Sequence, residues 1–329
     1  MSERSELCVT VAPVDAPAPR ALFVAREGSP QRRPLPGYLM ALGAASCFAA
    51  TASIAARLVR TGSSAWDLGQ LRILGSFAVL AALVIVRPRS LVLPRRMWGF
   101  VVVFGLVALL GTQATFYAAL QRLPVAVTGL LQQVGPMAVL FVGLFVAKRA
   151  PRSVWLVCGA AFAGLYLVSG AYRFELIRQD AVGIAFALAS AACFATYFVV
   201  GERLAGASTR AIMTWGYAVA AAGWLLFDLV ARHLPKLPAT ATRRFDVVLL
   251  VVFGTLVPTV LNTAALRRLG APAGALTTVA TPALSGLIAW FALNEHLAPA
   301  RIVGGVVTLA ALGWIEVQDI RATRRERDG

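Results

Sequence analysis

Charged residues and the side chains that most often perform catalysis are scarce in this sequence. Only 14% of its 329 residues are charged, whereas a soluble globular domain carries about 25%. It has 15 acidic residues and two histidines, and His233 and His296 both lie between apolar segments. Few groups are therefore available for acid–base chemistry or for holding a metal, so we predict neither an enzyme nor a metal site.

Other absences narrow the choice of function further. The chain has no Walker A sequence, which argues against direct drive by ATP. Cys47, Cys158 and Cys193 lie inside apolar segments without a CxxC pair, so we interpret them as small packing residues. No cofactor is predicted. The acidic residues, including Asp67 and Asp228, fall near the ends of the apolar segments, so the sequence does not reveal a proton-carrying carboxylate at mid-membrane depth.

Long apolar runs are what the chain has in abundance. Hydrophobic residues make up 59% of it, and its mean hydropathy is +0.75. The runs are roughly 17–23 residues long, enough to cross a hydrocarbon core of about 30 Å as helices. We therefore predict an all-α integral membrane protein with ten transmembrane helices. The predicted spans are residues 37–58, 67–86, 98–119, 124–147, 153–171, 182–201, 211–231, 246–265, 271–293 and 301–318.

The net charge of +16 comes from basic residues in short loops and tails. None of these stretches interleaves aromatic with basic residues, so no nucleic-acid partner is predicted. With the N-terminus inside, the cytoplasmic side holds about twice as many Lys and Arg residues as the outer side. This bias predicts a multi-pass plasma-membrane protein with both termini cytoplasmic, and only the basic 231–245 loop counts against it. The arginines from Arg321 to Arg327 are expected to contact anionic membrane lipids.

An internal repeat organises the chain. Residues 118–123 (AALQRL) return 146 positions later as 264–269 (AALRRL), with five of six residues identical. At the same offset nine positions within 37–58 are identical to their counterparts within 183–204. Five spans per copy would insert the second copy upside down, which makes two inverted five-helix repeats, an architecture of many secondary transporters. The predicted divisions are a disordered cytoplasmic tail over 1–34, repeats over 37–171 and 182–318, and a basic cytoplasmic tail over 319–329.

Two amides occupy corresponding positions inside apolar spans. Gln113 falls on Asn262 at an offset of 149. Amide side chains both donate and accept hydrogen bonds, so they suit a zwitterionic or polyol solute. The alternative is that they hold helices together, since interhelical hydrogen bonds of this kind are worth roughly 0.6 kcal/mol on average.

Prolines and further polar residues also lie inside the spans. Gln132 and Gln133 precede Pro136, and at an offset of 146 Gln132 corresponds to Thr278 and Pro136 to Pro282. Adjacent helix positions point about 100° apart, so one amide is expected to line a solute pathway while the other contacts a neighbouring helix. Each proline leaves the backbone carbonyl one turn earlier without its N–H partner. That carbonyl can bind the solute, or the helix can bend there as a hinge. The alternative is packing around a kink.

Arg72 lies near the start of the second span, too deep to reach the interface easily. It is a candidate for attracting a carboxylate on the solute or for pairing with a backbone carbonyl. The alternative is an interfacial arginine paired locally with Asp67.

Both halves contain short motifs near the ends and the prolines of their spans. They are residues 71–72 (LR), 117–120 (YAAL), 135–136 (GP), 265–266 (AL), 281–282 (TP), 294–297 (NEHL) and 304–305 (GG). Over about residues 37–318 this pattern resembles the EamA family of the drug/metabolite transporter superfamily. The first half departs from the family pattern, because residues 148–151 (KRAP) stand where a glutamate is usual. That departure is similar to the amino-acid exporter branch, which includes threonine/homoserine exporters.

The resemblance implies an alternating-access carrier whose cavity lies between the repeats, with Tyr117 among the residues of the pathway. It also implies export of small metabolites, often amino acids or their analogues. We therefore predict a secondary transporter that exports a small polar metabolite. Two alternatives remain: a non-transporting accessory or lipid-binding membrane protein, and an integral-membrane transferase. Membrane lipids and a small-molecule solute are the expected partners; the sequence leaves the coupling ion open, and a homodimer is one open form of assembly.

Overall fold

The computed structural model describes residues 34–86, 91–123, 125–147, 152–169, 180–232, 234–269, 271–278, 280–282, 284, 299–300, 302–311 and 313–314. Across these residues the chain is helical and contains no strand. The helices are α1 Pro34–Arg60, α2 Ala65–Val86, α3 Trp98–Val103, α4 Thr112–Leu120, α5 Val125–Ala147, α6 Arg152–Ser169, α7 Ala181–Arg203, α8 Thr209–Ala231, α9 Ala241–Val251, α10 Val257–Leu269 and α11 Ala271–Thr278. Two π-helical segments make continuous spans: Phe104–Gly111 joins α3 to α4, and Val252–Leu256 joins α9 to α10.

The described helices fit a membrane protein, as the apolar runs predicted. Five of them are long and apolar enough to cross a bilayer: Ala65–Val86, Arg95–Leu120, Ala181–Arg203, Thr209–Ala231 and Ala241–Leu269. Shorter apolar helices occupy Leu35–Thr51, Val127–Val142, Trp155–Leu167 and Ile302–Ala311. The helical membrane architecture is thus confirmed for the part of the chain that the structure describes.

Large apolar side chains lie on the outside of the bundle. Ile85 and Val230 expose 80% and 78% of their surface. The interior is aromatic as well as aliphatic: Phe104, Phe198 and Trp224 are almost fully buried among α2, α7, α8 and the first π-helical segment. An apolar exterior of this extent suits contact with lipid rather than water.

Local sequence signals define several helix ends. Asp180 caps α7 by accepting hydrogen bonds from the backbone N–H groups of Val182 and Gly183, each at 3.0 Å. The Gly183 N–H and the Arg122 guanidinium, 3.0 Å away, stabilise the carboxylate and lower the pKa of Asp180. Ser208 caps α8 by accepting from the Ala211 N–H at 3.1 Å. These caps satisfy N–H groups that the first turn of a helix leaves free.

Two contacts between the halves of the chain are equivalent to each other under the repeat. Gly37 of α1 lies against Leu269 at the end of α10, so close that an added Cβ would stand 2.8 Å from the Leu269 side chain. Gly183 of α7 lies against Leu123, which follows α4, at the same 2.8 Å. Each residue of one pair corresponds to a residue of the other at the offset of 146. A two-fold axis between the repeats would produce this exchange.

A close approach of α5 and α7 gives the first prediction. A Cβ on Gly135 would overlap the backbone carbonyl oxygen of Ala191, which cannot move without shifting α7. We expect Gly135→Ala to lower the free energy of unfolding by about 1–3 kcal/mol, as overpacking does. The measurement is thermal unfolding of the purified protein in detergent.

The matched control is Gly129→Ala in the same helix, where an added Cβ would meet no atom within 4 Å. Alanine loses less backbone entropy than glycine on folding, so the stability of that variant should be unchanged or higher by up to about 1 kcal/mol. Equal melting temperatures for the two variants would contradict the close packing of α5 on α7.

Candidate functional site

Arg72 on α2 reaches across from the first half of the chain to the second. Its half-buried guanidinium donates from Nε to Thr255 Oγ1 at 2.7 Å, from one terminal nitrogen to Tyr117 Oη at 2.8 Å, and from the other to the carbonyl oxygen of Gly254. Its central carbon lies 5.9 Å from the centre of the Tyr117 ring. Two of the predicted pathway residues, Arg72 and Tyr117, are therefore in direct contact.

A proline explains why the Gly254 carbonyl is available to Arg72. Pro258 lies four residues after Gly254 and has no N–H to donate back to it. The π-helical segment Val252–Leu256 further displaces the usual hydrogen bonds at this point. In a bilayer a carbonyl left without a donor costs several kcal/mol, so the Arg72 guanidinium stabilises the helix as well as crossing the interface.

The same chemistry recurs at Gln133. Its Nε2 donates to the carbonyl oxygen of Thr278 at 3.1 Å, and Pro282 lies four residues after Thr278. Gln133 is only 6% exposed, and its Oε1 has no hydrogen-bond partner among the described residues. Three of the predicted residues thus meet here: an amide on α5, a carbonyl that ends α11, and the proline that frees it.

Gln132 and Pro136 are placed differently. The Gln132 Nε2 donates to Ser190 Oγ on α7 at 2.9 Å, and Ser190 Oγ donates onward to the Thr112 carbonyl at 3.2 Å. Pro136 is buried in α5 and frees the Gln132 carbonyl. The residue that corresponds to Gln133 in the second half is Val279, which has no side-chain donor for that carbonyl. The halves therefore differ at this point.

Gln113 and Asn262 both border α7 from different helices. Gln113 is half-buried on α4, which packs against α2, α5 and α7. Asn262 is 1% exposed on α10, which packs against α1, α7, α8 and α11, and its Oδ1 has no partner in the described part of the chain. Their equivalence in the repeat does not by itself bring the two amides together.

Sequence reasoning missed a row of hydroxyl groups beside Arg72. Tyr197 Oη donates to the Thr259 carbonyl at 3.2 Å and lies 2.6 Å from Thr263 Oγ1, while Tyr217 Oη donates to Thr259 Oγ1 at 3.2 Å. Thr259 in turn donates to the Thr255 carbonyl. The signal was present in the sequence, because threonines four residues apart at 255, 259 and 263 share one helix face.

Three more polar contacts join the halves at the end of the bundle that holds loops 61–64 and 232–240. Arg57 and Asp246 form an ion pair at 2.7 Å, and the Gln70 amide donates to Asp228 Oδ2. Arg122 pairs with Asp180, the cap of α7, close to that end. Asp228 lies near the end of α8, as predicted, but it is only 6% exposed.

Some predicted elements lie outside the described residues. They are the tails over 1–33 and 319–329, residues 148–151 and residues 294–297. Within the described ranges no group of three His, Cys, Asp or Glu side chains is arranged to hold a metal ion.

Comparison with known proteins identifies the family. The EamA-like transporter family matches residues 35–170 and again residues 181–316. The chain belongs to the EamA-like transporter family. Two copies of the EamA domain therefore occupy most of its length, and membership makes it a membrane transporter of a small-molecule solute.

Several curated transporters are similar to this chain. The threonine/homoserine exporter RhtA of Escherichia coli strain K12 is 30% identical over 213 residues, which cover 63% of this chain and 68% of that protein. The uncharacterized transporter YcbK of Bacillus subtilis is 24% identical over 174 residues, covering 51% and 55% of the two chains. An uncharacterized transporter of Archaeoglobus fulgidus is 24% identical and covers 62% and 73%.

A solved crystal structure of a protein shares the fold. It superposes with a TM-score of 0.69 at 21% identity, covering 88% of this chain and 98% of that chain. The shared fold thus extends over most of the chain.

The pairing of Gln133 with the carbonyl freed by Pro282 gives the second prediction. We expect Gln133→Leu to lower the free energy of unfolding by roughly 1 kcal/mol, because the Thr278 carbonyl loses its donor. In a Pro282→Ala background the cost should nearly vanish, since residue 282 then supplies an N–H to Thr278. Thermal unfolding in detergent of the four proteins of this cycle measures the difference.

Gln121→Leu is the control for this cycle, because Gln121 is an exposed amide in the turn after α4. Its effect should be small and the same in both backgrounds. If the cost of Gln133→Leu were equal in the two backgrounds, the hydrogen bond would not serve the proline-freed carbonyl.

Proposed function

We propose that this chain is a secondary transporter that exports a small amino acid or a close analogue across the plasma membrane by alternating access. Membership of the EamA family supports transport, and the similarity to a protein named as a threonine/homoserine exporter supports the class of solute. The observation that carries the proposal is Arg72, a guanidinium between membrane helices that contacts both halves of the chain.

The architecture that we propose has ten transmembrane helices in two inverted five-helix repeats, over 37–171 and 182–318, with both termini cytoplasmic. The exchanged pairs Gly37–Leu269 and Gly183–Leu123 support a two-fold axis between the repeats. An axis in the membrane plane lets one repeat rock against the other around a central solute.

Arg72 and two amides supply complementary groups for a zwitterion. A guanidinium has five N–H donors, and the three described contacts of Arg72 use three of them. A carboxylate would replace the neutral hydroxyls of Tyr117 and Thr255 with stronger, charge-assisted hydrogen bonds. The buried acceptors Gln133 Oε1 and Asn262 Oδ1, which lack partners among the described residues, suit an ammonium group.

The test of this function is counterflow in proteoliposomes that contain the purified full chain. Unlabelled threonine or homoserine is loaded inside, and entry of the labelled amino acid is followed against sugars and cationic drugs as comparison. Exchange confined to amino acids supports the proposal. Exchange of sugars or cationic drugs would show that the solute belongs to a different chemical class. If the protein is stable but moves none of these solutes, the accessory or lipid-binding alternative is favoured.

Substitution of Arg72 gives the third prediction. Loss of charge-assisted hydrogen bonds worth about 1.5–3 kcal/mol should reduce counterflow by Arg72→Gln roughly 10- to 100-fold. Arg72→Lys should fall between that variant and the unchanged protein, because an ammonium keeps the charge without the planar fork. Initial rates of labelled threonine or homoserine entry provide the measurement.

Arg96→Gln is the matched control, since Arg96 is exposed before α3 and away from the interface of the repeats. It should leave the rate unchanged. A normal rate in Arg72→Gln would remove Arg72 from the solute pathway while leaving transport itself intact.

A further inference from the structure

We propose that Asp228 and Gln70 form the binding site of the monovalent cation, a proton or Na⁺, whose gradient drives solute movement. This site rests on the transport function proposed above. It differs from the Arg72 contacts, because Asp228 is on α8 and faces α2 near the end of the bundle that holds loops 61–64 and 232–240.

The pair is buried and incompletely hydrogen-bonded. Gln70 is 0% exposed and Asp228 is 6% exposed. The Gln70 Nε2 donates to Asp228 Oδ2, while Gln70 Oε1 and Asp228 Oδ1 have no partner among the described residues. The arrangement therefore leaves two buried acceptors without a hydrogen-bond donor among the described residues, on side chains that already touch.

A single neutral amide does not compensate a carboxylate removed from water. Burial of an ionised carboxylate is costly unless a cation or several donors accompany it. The charged residues nearest Gln70 on α2 are Asp67 and Arg72, and the described hydrogen bonds of Arg72 go to Tyr117, Thr255 and Gly254. Between Trp98 and Leu120 the span that packs on α8 has no charged residue. Arg232, one turn after Asp228, is exposed, and no described side-chain contact joins it to the carboxylate. A bound cation would supply the charge that balances Asp228.

An aromatic cluster lies one helical turn before each member of the pair, with Trp66 four residues before Gln70. The Trp66 and Trp224 rings are 4.9 Å apart, edge to face, and Phe227 lies 5.3 Å from Trp66. Trp224 is four residues before Asp228 on the same face of α8. Its Nε1 also lacks a partner in the described part of the chain. The burial of Gln70 and Asp228 keeps water from the pair, which strengthens the interaction between a small cation and the carboxylate. Asp228 is nevertheless only three residues from the end of α8, so its route to solution is short.

The position of the pair links cation binding to the movement of the repeats. Gln70 belongs to the first repeat and Asp228 to the second. When α2 and α8 separate at this end, Asp228 loses the Gln70 donor and takes a cation from the adjoining solution. Once neutral, it can return to its apolar surroundings as the repeats close. Binding of Na⁺ changes no covalent bond, whereas a proton moves from hydronium to a carboxylate oxygen of Asp228 and returns to water on release. In both cases the cation leaves to the other side after the repeats rearrange.

The experiment separates exchange from driven transport in proteoliposomes of the full chain. Counterflow of labelled threonine or homoserine needs no net cation movement, whereas accumulation under an imposed pH or Na⁺ gradient does. We expect Asp228→Asn to keep counterflow and to lose gradient-driven accumulation, and Asp228→Glu to retain both. Asp246→Asn is the matched control: it removes a buried carboxylate at the same end and should retain accumulation.

The outcomes are distinct. Accumulation driven by a pH gradient alone assigns a proton, and accumulation that requires Na⁺ assigns Na⁺. If Asp228→Asn still accumulates solute, the site proposal is wrong and the transport function stands. If a stable Asp228→Asn protein loses counterflow as well, Asp228 has a structural role, for example through a water shared with Trp224, and the site is again wrong. Absence of counterflow in the unchanged protein overturns both proposals.

A second measurement needs no variant and no transport. Dicyclohexylcarbodiimide reacts with protonated carboxyl groups in apolar surroundings, and peptide mass spectrometry locates the product. Labelling of Asp228 that falls as pH rises, or that Na⁺ suppresses, supports the site. Failure to label Asp228, or labelling that neither pH nor Na⁺ alters, contradicts it.

Discussion

A proline inside a membrane helix leaves a carbonyl that lipid cannot satisfy, and this constraint governs the interface between the two repeats. The carbonyl that Pro258 frees, on Gly254, accepts from Arg72, and the one that Pro282 frees, on Thr278, accepts from Gln133. In both cases the donor comes from the first repeat and the carbonyl from the second. Each unsatisfied group would cost several kcal/mol in hydrocarbon. Arg72 and Gln133 are therefore tied to prolines, and the first repeat stabilises two bends of the second.

The sequence predicted the repeat, the helical class and the family, because these depend on composition, periodicity and local motifs. It also located Arg72, Gln133 and the prolines, since polar residues and helix breakers stand out in apolar runs. The partners of these residues were beyond it. Asp228 looked like an ordinary helix-end carboxylate, and only the packing of α2 on α8 buries it. Tyr197 was not among the predicted residues, because an aromatic residue in a membrane helix gives no sign of where its hydroxyl group points.

Internal symmetry explains why Gln113 and Asn262 could not be paired from the repeat alone. A two-fold axis relates equivalent residues, but it brings them together only near the axis itself. Gln133 and Thr278 are 145 positions apart, one short of the repeat offset of 146, and they are in contact. The axis therefore passes close to this pair. Contacts between near-equivalent residues locate the centre of a repeat protein, whereas equivalent residues far from the axis lie on opposite sides of it.

The two ends of the bundle are joined by different chemistry. At the end with loops 61–64 and 232–240, the contacts are between side chains, Arg57 with Asp246 and Gln70 with Asp228. At the other end, Arg210 and Trp215 donate to the backbone carbonyls of Leu83 and Leu91, each at 3.0 Å. Arg57 is more than half exposed and regains solvation when it separates from Asp246, but Asp246 is 6% exposed and then loses its charged partner. Asp228 is equally buried, and its one described side-chain partner is a neutral amide. Separation at this end therefore costs free energy at both carboxylates, and a cation that neutralises Asp228 would lower the cost at that residue.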